Sequence, residues 1–359
     1  MKMWIRSDRG SYPVIIQRGS IHRVPDLLKE RGVEGRLFLI TDHTVSRLYG
    51  DGMAANLRDT GREAAVFRIP DGEASKSVRQ AEKIWKWMLA SGIRRQDAVL
   101  ALGGGVVGDL AGFAAATVLR GVSWIQVPTT LLAQADASVG GKVGVNFEGK
   151  NLVGGFYPPQ MVIMDPEVLQ TLNVRDHWSG MGEVIKSALI GDRKLFSLLE
   201  KRMPAEPGAC MELMGTAILR SVKVKARIVG RDERESGLRR LLNLGHTLAH
   251  GLERATECGT FRHGEAVIHG LRWAVWFSRD EGWLPPAEAE RIETVLGRMT
   301  VPGIPAGLNM ELFRRAVISD KKQSAGGIRL IVLKGIGRAR EVRVADPAPL
   351  FENWLRNHA

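Results

Sequence analysis

Short β-branched runs and helix-spaced apolar positions alternate along the first half of the chain. Leu37–Thr41, Ala65–Ile69, Ala98–Leu102, Trp124–Val127 and Met161–Met164 are strand-sized and bounded by turn residues. Between them, Ser77–Ala90 carries apolar side chains at Val78, Ala81, Ile84, Trp85, Met88 and Leu89, the spacing of a helix with one buried face. Leu110–Leu119 is apolar enough for a short buried helix. Strands alternating with helices predict an α/β domain over residues 1–174, a mostly parallel, Rossmann-like sheet covered on both faces. The second half changes character. Glu183–Leu199, Ala209–Val229, Leu241–Glu253, Glu265–Asp280 and Ala287–Arg298 have helical spacing, and only Ile328–Leu333 and Arg340–Val344 read as strands. A mainly α-helical domain is therefore expected over residues 175–359, with an active site in the interdomain cleft.

Four of the eight histidines fall close together, three of them in Asn-Leu-Gly-His246-Thr-Leu-Ala-His250 and Phe-Arg-His263-Gly-Glu265, with Glu183 upstream in Gly-Met-Gly-Glu183-Val-Ile-Lys186. One carboxylate and two imidazoles, with a position left open, is the ligand set of a catalytic zinc site. His246 and His250 are four apart and would share one face of a helix. A metalloprotease would need its general base at position 247, which is Thr247. Core or surface packing is the plain alternative for any single histidine. Against it for the group, a glycine adjoins each of the three.

The other concentration of chemistry is glycine-rich. Gly103-Gly104-Gly105-Val106-Val107-Gly108-Asp109 follows a strand and opens a helix, satisfying G-x-G-x-x-G, so its amides would face a pyrophosphate. No acidic residue closes the next strand about 20 residues on, where Trp124–Pro128 stands. Asp42, ending the Leu37–Thr41 strand, is the better candidate for a ribose acceptor. Asp71-Gly72-Glu73-Ala74-Ser75-Lys76, with Ser75 as a helix cap, and Pro128-Thr129-Thr130 follow two further strands. Ligands of open α/β sheets lie beyond such strand ends.

Composition narrows the class. The 359 residues are 44% hydrophobic and 25% charged, as in globular proteins. No apolar stretch approaches the roughly 20 residues of a membrane span, and the N-terminus meets charge too early for a signal-peptide core. Two cysteines, Cys210 and Cys258, make no disulfide framework, so a soluble cytoplasmic protein is expected. The net charge of +12 invites a nucleic-acid partner, yet Lys and Arg never run longer than two together and no basic arm appears. Many of these cations fall instead in the glycine- and histidine-containing motifs, where they would meet a small polyanion. Neither nucleic acid nor membrane is expected.

From about Asp42 to Lys322 the motifs stand in one order: Asp71-Gly-Glu-x-x-Lys76, Gly103 to Asp109 with Leu119-Arg-Gly121, and Pro128-Thr-Thr130. Then follow Asp136-Ala-Ser-Val-Gly-Gly-Lys142, Gly149-Lys-Asn151, Glu183-Val-Ile-Lys186, Leu242-Asn-Leu-Gly-His-Thr247, His263-Gly-Glu-Ala266 and Asp320-Lys-Lys322. Together they resemble the 3-dehydroquinate synthase family of sugar-phosphate cyclases. The resemblance implies metal ligands at Glu183, His246 and His263, holding zinc or cobalt. It implies NAD contacts at Asp42, Asp71, Gly72, Glu73, Lys76, Gly103 to Asp109, Thr129, Thr130, Asp136, Lys142, Lys150, Thr171 and Leu172. Substrate contacts would fall on Lys142, Asn151, Lys186, Lys225, Arg239, Asn243, His250, Lys321 and Lys322, with His250 as a proton-transfer or hydrogen-bonding group.

The implied reaction converts 3-deoxy-D-arabino-heptulosonate 7-phosphate, a sugar-acid phosphate, to 3-dehydroquinate and phosphate, with NAD reduced and reoxidised in each cycle, in a homodimer. Arg239, seven before His246, would share a side of one helix with it if that helix begins near Leu238. The segment Val145–Lys150 is one residue shorter than the family's loop, and Gly182 stands where the family carries alanine, which would add local flexibility. Inosose- or valiolone-type cyclases are the near rivals, and a metal-dependent polyol or glycerol dehydrogenase the more distant one. Glu183 in the ligand position and the Lys/Arg array argue against the dehydrogenase.

Overall fold

The computed structural model describes residues 1–203, 211–256, 259–319 and 327–358. They fall into two compact units, Met1–Thr171 and Leu172–Ala359.

The first unit is built on strands β1 (Lys2–Ser7), β2 (Gly10–Ile16), β3 (Leu37–Asp42), β4 (Ala64–Ile69), β5 (Ala98–Gly103), β6 (Ser123–Pro128), β7 (Lys142–Val145), β8 (Val153–Phe156) and β9 (Met161–Met164). Seven of them form one sheet in the order β1-β2-β9-β6-β5-β3-β4, parallel except for the β1–β2 hairpin. Alternate residues of each central strand serve opposite faces. Leu37, Leu39, Leu100 and Leu102 pack with the helices Val24–Glu30 and Asp51–Asp59. Phe38, Ile40, Val99 and Ala101 pack with the helices Val78–Ala90 and Gly105–Thr117. Burial on both faces is why these strands read as continuous apolar runs.

Strands β1, β2, β7 and β8 escape a reading by pattern. β1 carries Lys2 and Arg6 and exposes Trp4, β2 contains Pro13, and the β7–β8 hairpin holds Gly144, Gly154 and Gly155.

The second unit is helical, with one antiparallel hairpin of β10 (Ile328–Gly335) and β11 (Arg338–Val344). Its boundaries correct the pattern-based ones. The helix expected over Glu183–Leu199 is two: Val174–Gly191, capped by Asn173, and Arg193–Arg202, whose N-cap Asp192 accepts from the Leu195 amide. The helix expected over Leu241–Glu253 is a 3-10 turn, Leu238–Asn243, then a left-handed Gly245 with φ 78°, then a helix His246–Ala255. Arg239 and His246 therefore do not share a helix.

Glycines let two helices touch backbone to backbone. A Cβ on Gly182 would lie 2.7 Å from the Gly264 carbonyl oxygen, and one on Gly264 would lie 1.8 Å from that of Ser179. Gly182 thus serves close packing against the helix His263–Asp280 rather than flexibility. Among the described residues no helix is long and apolar enough to cross a membrane.

Candidate active site

Each unit carries a chemical centre. In the first, parallel pairing of β3, β4, β5 and β6 brings Asp42, the Asp71–Lys76 loop, the Gly103–Asp109 turn and Thr129–Thr130 to one edge of the sheet. The chain runs outward from β3 to β4 and, in the other direction, from β5 to β6. The crevice beyond β3 and β5 is the switch point where such sheets bind nucleotides.

The glycines there answer to space. A Cβ on Gly103 would meet Val107 Cγ2 at 2.5 Å, and one on Gly108 would meet Gln126 Nε2 at 2.2 Å. Gly104 is the N-cap of the Gly105–Thr117 helix and no side chain caps it. The first helix amides and the positive end of its dipole therefore fit a pyrophosphate.

Around this turn the expected NAD residues form one polar network. Lys76, 5% exposed, donates to Asp109 Oδ2 at 2.5 Å and to Asn151 Oδ1. Asn146, which the sequence did not flag, donates to Glu73 Oε1 at 2.7 Å and accepts from the Asn151 amide at 2.9 Å. Asn151, expected at the substrate, is thereby held with φ 59° against the expected NAD residue Lys76.

Asp42 caps its short helix, accepting from the Val45 amide at 2.7 Å. Burial first, and the neighbouring Asp71, push its carboxyl above the usual range despite that bond. Asp71 is held low, chiefly by the Thr44 amide at 3.0 Å. Ser75 donates to the Pro70 carbonyl, and Ser77, not Ser75, caps the following helix. Gly72 precedes Glu73 with φ 94°. Thr130 Oγ1 accepts from the Ala133 amide, while buried Thr129 Oγ1 has no hydrogen-bond partner. Val106 is half-buried at the turn, Asp136 half-buried in the segment after β6, and Lys142 and Lys150 are exposed. Thr171 bonds to the Tyr49 hydroxyl at 2.8 Å. Leu172 opens the second unit.

In the second unit Glu183, His246 and His263 come together from three helices, their ligand atoms within 4.8 Å of one another. Glu183 is 1% exposed. Neither carboxylate oxygen has a hydrogen-bond partner: Oε2 forms an ion pair with the Lys186 ammonium, also buried, and Oε1 lies 3.6 Å from both His246 Nε2 and His263 Nε2. Two imidazole lone pairs and one orphaned carboxylate oxygen converging on a point fit a divalent cation.

The tautomers agree with this. His246 Nδ1 is 3.2 Å from the Leu244 carbonyl, which only accepts, so Nδ1 carries the proton and Nε2 the lone pair. Burial first, then Lys186 and the two neighbouring histidines, hold the His246 imidazole well below its usual range and hence neutral. His250 completes the cluster, its ring centre 5.6 Å from that of His246 and 6.2 Å from that of His263.

The second unit also carries several of the expected substrate residues. Lys225 is buried on the Met211–Val229 helix. Arg239, 2% exposed, donates through Nη1 to the Glu233 carbonyl, and its amide donates to Asp232 Oδ2 at 2.9 Å. Burial raises the Asp232 carboxyl, but amide hydrogen bonds from Arg239, Gly237 and Ser236 outweigh it and take it to about 2. Asn243 donates to Glu235 Oε1 at 2.8 Å. Lys321 and Lys322 lie outside the described residues. Sequence reasoning missed Asp232 and also Glu253, whose place seven after His246 and three after His250 was a legible signal of a shared helix face.

A parallel sheet whose glycine turn fits a pyrophosphate, followed in the chain by a helical unit with a Glu-His-His donor set, is an architecture shared with the sugar-phosphate cyclases. Within it, residues 66–179 match the 3-dehydroquinate synthase N-terminal family model and residues 180–323 the C-terminal one. A 3-dehydroquinate synthase of Salinibacter ruber is 44% identical over 94% of this chain and 92% of its own length. The chain belongs to the 3-dehydroquinate synthase family.

Among solved structures, the 2-epi-5-epi-valiolone synthase of Streptomyces hygroscopicus, with NAD+ and Zn2+ bound, superposes with a TM-score of 0.86 at 30% identity, covering 97% of each chain. A 2-deoxy-scyllo-inosose synthase complexed with carbaglucose-6-phosphate, NAD+ and Co2+ shares the fold, with a TM-score of 0.89 at 24% identity over the whole of both chains.

Proposed function

We propose that this chain converts 3-deoxy-D-arabino-heptulosonate 7-phosphate to 3-dehydroquinate and phosphate, as a carbon–oxygen lyase that needs NAD and a divalent cation. Family membership supports the reaction. The observation that carries the chemistry is the buried, unpartnered Glu183 Oε1 facing two imidazole nitrogens.

When bound, NAD exchanges a hydride with the substrate and gives it back, and the cation polarises the carbon–oxygen bond being oxidised. The chain's own residues do the rest. Glu183, His246 and His263 would hold the cation, the carboxylate halving its charge and the neutral imidazoles fixing geometry. Lys186 pairs with Glu183 Oε2, while Oε1 faces the two histidine nitrogens where a cation would sit. Arg239 clamps a substrate oxyanion with its planar fork, and Lys225 and Lys142 meet substrate charge as point cations. His250, on the exposed side of the cluster, holds or moves a proton near the departing phosphate. The Gly104 turn and the Lys76–Asp109 network seat the cofactor.

Inosose- and valiolone-type cyclases share the fold; the 3-dehydroquinate synthase match along the chain favours the present reading. A homodimer in the cytoplasm is part of the same proposal. The deciding experiment supplies purified protein with the keto acid phosphate and sub-stoichiometric NAD. Phosphate and dehydroquinate should appear together over many turnovers per NAD, with no growth of NADH absorbance. Stoichiometric NADH accumulation would favour a dehydrogenase.

A further inference from the structure

Glu253 belongs to none of the ligand, cofactor or substrate sets above, yet it is 2% exposed and points a carboxylate into the histidine cluster. Its Oε1 lies 3.3 Å from His263 Nδ1. A carboxylate oxygen only accepts at this contact, so Nδ1 must carry the proton, and the lone pair is left on Nε2, the nitrogen that faces Glu183 Oε1 at 3.6 Å. His263 opens its helix directly after Arg262, with its ring about a third exposed. Backbone packing alone therefore does not fix the ring. His246 has its tautomer set by a backbone carbonyl, whereas His263 has it set by a buried carboxylate.

We infer that Glu253 is a positioning residue for the metal: it orients His263, fixes its tautomer and strengthens Nε2 as a donor. A carboxylate behind a ligating imidazole makes that imidazole more basic, and removing such a partner commonly weakens metal binding tenfold to a hundredfold. This rests on the reading of Glu183, His246 and His263 as the ligands.

The same atoms suggest a rival role. A ring nitrogen of His250, a carboxylate oxygen of Glu253 and a ring nitrogen of His263 also lie within 4.8 Å of one another, enough for a second cation. The two roles demand different things of His263. As a second ligand site it would use the nitrogen turned toward Glu253; as a positioned ligand it uses the one turned away. The hydrogen bond to Glu253 and the facing of Nε2 on Glu183 Oε1 favour positioning.

The test measures Zn2+ affinity of the full-length protein by competition with a chromophoric chelator, together with metal equivalents per chain and the visible spectrum of the Co2+-loaded form. Glu253→Gln keeps the volume and an accepting oxygen but removes the charge. Its Kd should rise roughly threefold to tenfold, with one equivalent still bound and the metal-free Tm near wild type. Glu253→Leu should raise Kd tenfold to a hundredfold and shift the Co2+ bands. Glu253→Gln binding Zn2+ within twofold of wild type refutes the positioning role even if the Leu variant fails to fold. Loss of a second metal equivalent in either variant shows that Glu253 is a ligand instead. His263→Ala separates the two readings: if it retains the metal, the ligand assignment itself is wrong, whereas metal loss there with unchanged Glu253 variants sinks only the present inference.

Discussion

Gly270 and Gly245 lie backbone against backbone: a methyl group on Gly270 would stand 1.9 Å from the Gly245 carbonyl oxygen. Gly245 immediately precedes His246, and Gly270 is seven residues beyond His263 on the same helix. The contact therefore sets how close the two histidine-bearing helices approach. Gly270→Ala should force them apart, costing roughly 1–3 kcal/mol of stability by overpacking. Because two donors then move relative to each other, metal affinity should fall at least tenfold. Chelator competition and thermal melting check both; an alanine variant with wild-type metal affinity would show that this approach does not set the site.

His263→Ala leaves Glu183 and His246 as protein donors. Two donors hold a catalytic cation poorly. Bound metal measured by elemental analysis should drop to a small fraction of wild type, and turnover should vanish with it. Full metal occupancy would remove His263 from the ligand set.

Lys76→Met tests the network beneath the glycine turn. The ammonium ties Asp109, on the helix after β5, to Asn151, on the loop after β7. Its loss leaves the Asp109 carboxylate without that cation and loosens both segments. The KM for NAD should rise about tenfold or more, the size of a lost charge-assisted hydrogen bond, while metal content stays unchanged. Equal loss of metal and NAD binding would mean general unfolding.

Much of this was legible before the structure, and the reasons are physical. The central strands announced themselves because both faces are buried, and the donors because histidines are scarce and theirs adjoin glycines. The β7–β8 hairpin did not, since its glycines carry no pattern and its partners come from packing on the Gly105–Thr117 helix, where a Cβ on Gly112 would meet Val143 Cγ1 at 2.4 Å. The breaks at Asp192 and Gly245 were hidden inside apolar periodicity that continues across them. Glu253 was readable by its spacing from His246 but looks, in sequence, like a solvated helix residue.

Acid should destabilise the fold through two buried imidazoles away from the metal ligands. Burial pushes His177 to about 4 and His269 to about 4, the latter despite a contact from Nε2 to the Pro302 carbonyl at 2.9 Å. The folded state refuses protons that the unfolded chain takes up near 6.5, so stability is full above that pH and falls as pH drops toward 4. Each group contributes up to about 3 kcal/mol across that window. The Tm of the metal-free protein should decline from pH 7 to pH 5, and His177→Gln should make the slope shallower. An unchanged slope in that variant would remove His177 from the account.

Arg239→Lys separates a substrate clamp from a structural arginine. The side chain is almost wholly buried, its Nη1 is fixed on the Glu233 carbonyl, and its amide is fixed on Asp232, so the guanidinium plane is set before any ligand arrives. It reaches that place from a 3-10 turn, not from the helix that carries His246. A preset fork binds a carboxylate or phosphate through two parallel hydrogen bonds, and an ammonium on a flexible stem cannot reproduce that geometry. The lysine variant should keep its metal and its NAD affinity while kcat/KM for the keto acid phosphate falls roughly tenfold to a thousandfold, or about 1.4–4 kcal/mol of transition-state binding. If Arg239 only braces the Glu233 turn, the outcome reverses: Tm drops, and kcat/KM of the folded fraction stays within about twofold of wild type. Kinetics and melting on the same preparation tell the two apart.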